Sequence, residues 1–301
     1  MTRKSPGCWT MQERASMSTN ALPALMHPGA KFPIPSNSEG IRFDFLFCGC
    51  KVSAYYFHRE EFQDRLFVGF NGAVNRDAEK DPRDVFQRRT WAESIEASSL
   101  FISDPTLLRS NTIQIGWGQG SSFTQPLAAM SQCVDFVRQQ VDIKSNNSIL
   151  FFGSSAGGFQ AIQAHSRFPG SRFLVNNAQF DWSKYFQKYV DQVLRSSHSG
   201  KSVKTLLAEE KSTVNALTRF IEFDLPFSGD YWINTASRID FSAQLPVVDS
   251  FIKDRAKKRT NEGFDFSVHY YFDSKSGHMP MPKDRSLSLI NASLSKIPGD
   301  E

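Results

Sequence analysis

A chain of 301 residues with 40% hydrophobic and 22% charged side chains is long enough to bury one sizeable core and ordinary enough in composition for a globular protein. The net charge of +4 is too small to argue for a nucleic-acid partner. No run approaches 18 consecutive apolar residues, so no transmembrane segment is expected.

Residues 1–40 carry Pro, Ser, Met and Asn without periodicity and are expected to be mostly disordered. Within them, the apolar stretch 21–26 is broken by Pro23 and too short for a signal-peptide core. From Arg42 onward, strands and helices alternate, which predicts a single α/β domain over 41–301. Strands are predicted at 42–48, 52–58, 65–70, 112–117, 148–152, 172–176, 231–234 and 267–272. The first two are close enough for a hairpin, and the rest suit a mostly parallel, eight-stranded sheet with helices on both faces. Helices are predicted at 125–141, 157–167, 181–195, 245–259 and 285–294. A polar helical stretch at about 196–225 contains no strand and reads as a cap-like insertion over the active-site face.

Phenylalanine is frequent, at 27 residues, and clusters in the apolar runs, as core packing requires. Cys8, Cys48, Cys50 and Cys133 form no zinc-type pair, and free thiols in a reducing, cytoplasmic setting are the simplest reading. The basic run 253–259 suits the carboxyl end of a helix, where cations complement the dipole.

The run Phe151-Phe152-Gly153-Ser154-Ser155-Ala156-Gly157-Gly158 reads strand, Gly-x-Ser-x-Gly, helix. In that context the motif describes a nucleophile elbow, a turn so sharp that residues on either side of the serine nearly touch. Glycine at 153 and 157 removes the Cβ atoms that would collide. A tight strand–helix turn or a phosphate-cradling loop is the competing reading. Neither a Gly-Lys-Ser/Thr ending nor a Gly-x-Gly-x-x-Gly run supports the second, and no nucleotide cofactor is expected. No His, Asp or Glu cluster has ligand spacing, so no metal is expected either.

Eight strands with the elbow after the fifth match the α/β-hydrolase order, which dictates where other catalytic groups belong. Of six histidines, only His278 follows the last predicted strand, in a loop shaped by Gly277, Pro280 and Pro282. It is the candidate base for Ser155. Asp240, after the seventh strand, is the first candidate for the acid and Asp181, after the sixth, the second. Either could instead cap a helix. For the oxyanion hole, Asn71-Gly72-Ala73 follows the third strand. The Gly72 or Ala73 N–H would pair with the Ala156 N–H, with the Asn71 amide assisting, unless the segment is simply an Asn-Gly turn.

Taken together, Phe70-Asn71-Gly72-Ala73-Val74-Asn75-Arg76, Val85-Phe86-Gln87-Arg88-Arg89-Thr90-Trp91, Ser103-Asp104-Pro105-Thr106-Leu107, Gly116-Trp117-Gly118, the elbow, Asn176-Asn177-Ala178-Gln179 and Gly277-His278 resemble a known family. It comprises bacterial α/β-hydrolase-like proteins of capsule and surface-glycan biosynthesis, related to the acetyltransferase-like component of accessory Sec export. The resemblance covers about 43–283. It implies Ser155 as nucleophile, His278 as base and a saccharide or its acyl ester as small-molecule substrate, with glycan-assembly proteins as partners. In the family pattern a strand ending in Asn is followed three residues later by an aspartate. Here Ser237 takes that place after Asn234, and Asp240 lies three further on. Asp240 therefore either supplies the acid from a shifted position or the set is incomplete. The first alternative predicts a serine-dependent ester hydrolase or acyltransferase; the second predicts a catalytically silent glycan-binding or scaffold protein.

Overall fold

A computed structural model describes residues 23–76, 81–121, 124–257 and 263–297. Nine strands form one sheet: β1 (Ala24–Met26), β2 (Gly40–Phe47), β3 (Cys50–Phe57), β4 (Leu66–Phe70), β5 (Ser98–Ile102), β6 (Ile149–Ser154), β7 (Arg172–Asn176), β8 (Phe227–Asn234) and β9 (Phe264–Tyr271). Their spatial order is β1-β2-β3-β5-β4-β6-β7-β8-β9. β3 runs antiparallel to both its neighbours, and every other pairing is parallel.

The phenylalanines sort onto the two faces by strand alternation. Ile149 and Phe151 join Leu66, Val68 and Phe70 in one core, while Leu150 and Phe152 join Phe67 and Phe101 in the other. Each such ring removed from water contributes roughly 1.5–3 kcal/mol, so burial on both faces holds the sheet between its layers. The first face is covered by α1 (Pro126–Gln140), α2 (Ala156–His165) and the helices that follow β7, namely α3 (Gln187–Ser197), α4 (Val203–Glu209), α5 (Lys211–Val214), α6 (Thr218–Glu222) and α7 (Leu245–Ala256). The second is covered by α8 (Lys283–Leu294), which inserts Ile290 and Leu294.

Three expectations change. The strand between β4 and β6 in sequence is 98–102, not 112–117. The latter segment is a loop that ends with Trp117 and the following Gly118 both at positive φ, outside the extended region a strand needs. The hydroxyls at the start of this strand find partners: Ser98 Oγ accepts from Arg59 N at 3.0 Å and Ser99 Oγ donates to Ala97 O at 3.3 Å.

Second, only part of the segment 1–40 can be described, and that part carries structure. Residues 1–22 lie outside the described residues. From Pro23 on, β1 pairs in parallel with β2, and Phe32 is buried against Phe43, Tyr56 and Phe136.

Third, the stretch 196–225 is not a cap on the Ser155 cavity. Leu206, Val214, Ala216, Leu217 and Phe220 are buried in the larger core, and none of the described residues of this stretch lines that cavity.

Among the described residues no helix is long and apolar enough to cross a membrane. Cys50 and Cys133 are buried free thiols and Cys48 is an exposed one; Cys8 lies outside the described residues. The basic run is largely paired, Lys253 with Asp249, Arg255 with Asp224 and Lys257 with Asp254, and its last two residues lie outside the described ones.

Candidate active site

β6 delivers the chain into the elbow, and Ser155 takes φ 55° and ψ −124°. That backbone is costly for any residue with a side chain, on the order of 1–3 kcal/mol, and survives only where its surroundings enforce it. The glycines do so by allowing contact. A Cβ on Gly153 would fall 2.2 Å from the backbone of Gly157, and one on Gly157 would fall 2.6 Å from Phe70 O. The Ser155 N–H donates to Asn176 O at 3.1 Å, and Ser155 O accepts from Gly158 N and Gln179 N.

From this turn an unbroken hydrogen-bonded chain runs inward. Ser155 Oγ lies 2.9 Å from His278 Nε2, and His278 Nδ1 lies 2.7 Å from Asp240 Oδ2. Asp240 is fully buried at the first position of a π-helical turn, Asp240–Gln244, that leads into α7. Such wide turns recur at functional sites because the extra residue re-aims a side chain. After β8 the chain turns with Ser237 N–H on Asn234 O and Phe241 N–H on Ser237 O, bringing Asp240 back toward His278.

The histidine loop is held by three asparagines at the carboxyl ends of β7 and β8. Asn234 Nδ2 donates to Asp273 O and Gly277 O, both at 2.8 Å. Asn177 Nδ2 reaches His278 O and Met279 O, while Asn176 Oδ1 accepts from Met281 N at 2.9 Å. With an Nδ1–H donating to Asp240, Nε2 is left to accept from the Ser155 hydroxyl.

Two further side chains touch the serine's surroundings. Gln179, fully buried, donates from Nε2 to Ser155 Oγ at 2.8 Å, and its Oε1 accepts from Trp117 Nε1 at 2.6 Å. The Tyr185 ring packs 5.4 Å from the His278 ring. Burial, followed by the Asp240 carboxylate, pushes the Tyr185 phenol up, so it stays protonated and able to donate.

The candidate oxyanion loop lies against the elbow: a Cβ on Gly72 would sit 3.2 Å from Ser154 O and 3.9 Å from Ser155 Cβ. Two of its donors, the Asn71 amide and the Gly72 N–H, are already engaged. Asn71 Nδ2 donates to Val85 O, Asn71 Oδ1 accepts from Gln87 N, and Gly72 N donates to Gln87 Oε1 at 2.8 Å. The Asn71 amide therefore ties down the 85–87 segment instead of facing the serine. Ala156 begins α2, where the backbone N–H has no acceptor within the helix.

Asp181, the second candidate acid, accepts from Ser183 N and Ser183 Oγ and caps the short turn Trp182–Lys184. Asp273 likewise serves its own loop through Ser276. His165 is buried among Phe173, Phe220 and Phe227, and His269 stacks on Trp232. Among the described residues no group of three or more His, Cys, Asp or Glu is arranged to hold a metal ion.

A cavity of about 470 Å³ opens over the serine, bounded by Gly72, Arg88, Trp91, Tyr185, His278 and Met279. Sequence reasoning assigned no role to Gln179, Tyr185, Arg88 or the three asparagines. The blocks Val85–Trp91 and Asn176–Gln179 contain four of these six residues, and that was the available signal.

Solved structures place this architecture. A capsule O-acetyltransferase of Neisseria meningitidis serogroup A superposes with a TM-score of 0.59 at 12% identity, over 84% of this chain and 93% of its own. Acetyl xylan esterase 1 from a Thermoanaerobacterium species gives 0.57 at 12%, over 88% and 86%. An esterase of the bacterial hormone-sensitive lipase family gives 0.53 at 14%, over 89% and 87%. The fold is that of the α/β-hydrolases. In α/β-hydrolase terms β2 to β9 match the expected number of eight strands, with 98–102 in place of 112–117, and β1 is an addition at the edge. No family model matches the sequence, and no curated protein matches it.

Proposed function

We propose that the chain is a serine-dependent acyl-transfer enzyme, an ester hydrolase or acyltransferase, with Ser155 as nucleophile, His278 as base and Asp240 as the acid. The observation that carries this reading is the continuous Ser155–His278–Asp240 hydrogen-bonded chain at the elbow. Ser155 Oγ attacks the ester carbonyl as His278 Nε2 takes its proton, and Asp240 stabilises the imidazolium. The tetrahedral oxyanion is received by the Ala156 N–H and by the 72–73 loop once Gln87 yields Gly72. His278 then protonates the departing alkoxide, leaving an acyl-serine. Water or a sugar hydroxyl, activated by the same imidazole, resolves it.

Two structural neighbours are named for a capsule O-acetyl group and for acetyl xylan, which directs the substrate search to acetyl esters of saccharides. The acceptor distinguishes hydrolysis from transfer. A fluorophosphonate probe is expected to label the wild-type protein and to spare Ser155→Ala. Labelling that survives the substitution overturns the reading. Saccharide binding without labelling in either protein would favour the silent glycan-binding alternative.

A further inference from the structure

Arg88 lines the cavity over Ser155, yet the chemistry above gives it nothing to do. Its guanidinium lies 5.2 Å from the Phe152 ring and 5.4 Å from the Trp91 ring, and its Nη2 donates to Ser154 Oγ at 2.6 Å. That bond places the cation one residue from the nucleophile. Arg172 and Arg255, also largely buried, pair with Asp265 and Asp224. Among the described residues no carboxylate comes within ion-pair distance of Arg88. Burial holds its pKa down to about 10, and no neighbouring acid lifts it.

The backbone is committed to this placement. Arg88 has φ 67° and ψ 7°, a left-handed conformation that a β-carbon disfavours. Asn71 anchors the residue before it through Gln87 N, and Trp91 N donates to Arg88 O at 2.8 Å. A guanidinium presents five N–H donors in a planar fork, matches carboxylate and phosphate oxygens two at a time, and does not deprotonate in proteins. Proton transfer is therefore not its task, and a fork of this kind suits an anion.

We propose that Arg88 forms an anion subsite beside Ser155, so that the ester accepted by this site carries a carboxylate or phosphate group near its scissile bond. The inference rests on the acyl-enzyme reading of Ser155. The anion can belong to the acyl part or to the alcohol part, and the probes separate these. The experiment compares kcat/KM for 4-nitrophenyl acetate (neutral), mono-4-nitrophenyl succinate (anion on the acyl side), and 4-acetoxybenzoate and 4-acetoxyphenyl phosphate (anion on the alcohol side).

In the wild type at least one anionic ester is expected to exceed the neutral one about tenfold or more. Arg88→Gln is expected to lower that anionic-to-neutral ratio at least tenfold, and Arg88→Lys to restore part of it. A ratio unchanged by Arg88→Gln overturns the proposal, because a packing or oxyanion role lowers both rates together. A wild type with no anionic preference overturns it as well. Should Arg88→Gln fail to fold, Arg88→Met keeps the contact with Phe152 and Trp91 and carries the same comparison. If no ester is turned over and a fluorophosphonate labels Ser155→Ala as it labels the wild type, the acyl-enzyme reading fails separately. Titration calorimetry with benzoate and phenyl phosphate then decides the subsite: binding to Ser155→Ala that weakens at least tenfold in Ser155→Ala/Arg88→Gln supports it, and equal or absent binding overturns it.

Discussion

Gln179 Nε2 donates to Ser155 Oγ only because the other end of its amide is claimed by Trp117, whose indole nitrogen can donate but never accept. The indole thus fixes which way the amide points, and the serine receives one hydrogen bond while giving another to His278. Gln179→Ala should lower kcat about tenfold with little change in KM, the cost of one buried hydrogen bond of about 1–1.5 kcal/mol. Trp117→Phe should do the same more weakly, by letting the amide rotate. Steady-state kinetics on a chromogenic acetate ester separates the two parameters.

Neutralising Asp240 tests the acid directly. With Asn in its place the imidazole loses the partner that fixes its tautomer, and kcat should fall by roughly 10⁴, the scale known for serine proteases. Asp181→Asn should cost little activity, because that carboxylate only caps a short turn. Parallel turnover assays of the two variants distinguish the assignments.

Gly153→Ala should destabilise the fold by about 3 kcal/mol or more, since its methyl would meet backbone atoms of Gly157 at 2.2 Å and neither strand nor helix can withdraw. A denaturant midpoint well below that of the wild type is the expected result.

Stability should fall on mild acidification. His165 is buried beside Ser171 and three phenylalanines, and burial pushes its pKa down to about 3, from an ordinary 6.5. Between those values the unfolded chain holds a proton that the native chain refuses, so native stability declines as pH drops through that window, by up to roughly 1.4 kcal/mol per pH unit. His198, pushed down to about 4 mainly by burial, adds in the same sense. Asp104, raised by burial, acts oppositely. In His165→Gln the acid limb of a pH–stability curve should be shallower by about one proton.

Much of this was legible in the sequence because local rules governed it. The elbow needs glycine at fixed places whatever surrounds it, and the histidine after the last strand follows from chain order. What escaped depends on contacts that spacing does not encode. The strand Ser98–Ile102 escaped because its partners are distant in sequence: it lies between β3 and β4 inside the sheet, and Ser98 Oγ accepts from Arg59 N across 39 residues. Thr112 to Trp117 reads as strand because apolar alternation says nothing of a positive φ. Gln179 meets the serine across 24 residues and Arg88 meets Ser154 across 66, so neither interaction leaves a periodic trace. The Asn71-Gly72-Ala73 block was conspicuous, but its amide braces the neighbouring segment, a job no local pattern could distinguish from oxyanion binding.

The short parallel pairing of β1 on β2 has a consequence for how this molecule behaves in a crowd. Ala24, Leu25 and Met26 lie along Phe43, Asp44 and Phe45 at the margin of the sheet, where open amides and carbonyls invite another chain to dock. A version trimmed to begin at Gly40 would also lose the Phe32 ring wedged against Phe43 and Tyr56. Such a version should self-associate on a sizing column at concentrations where the full chain does not.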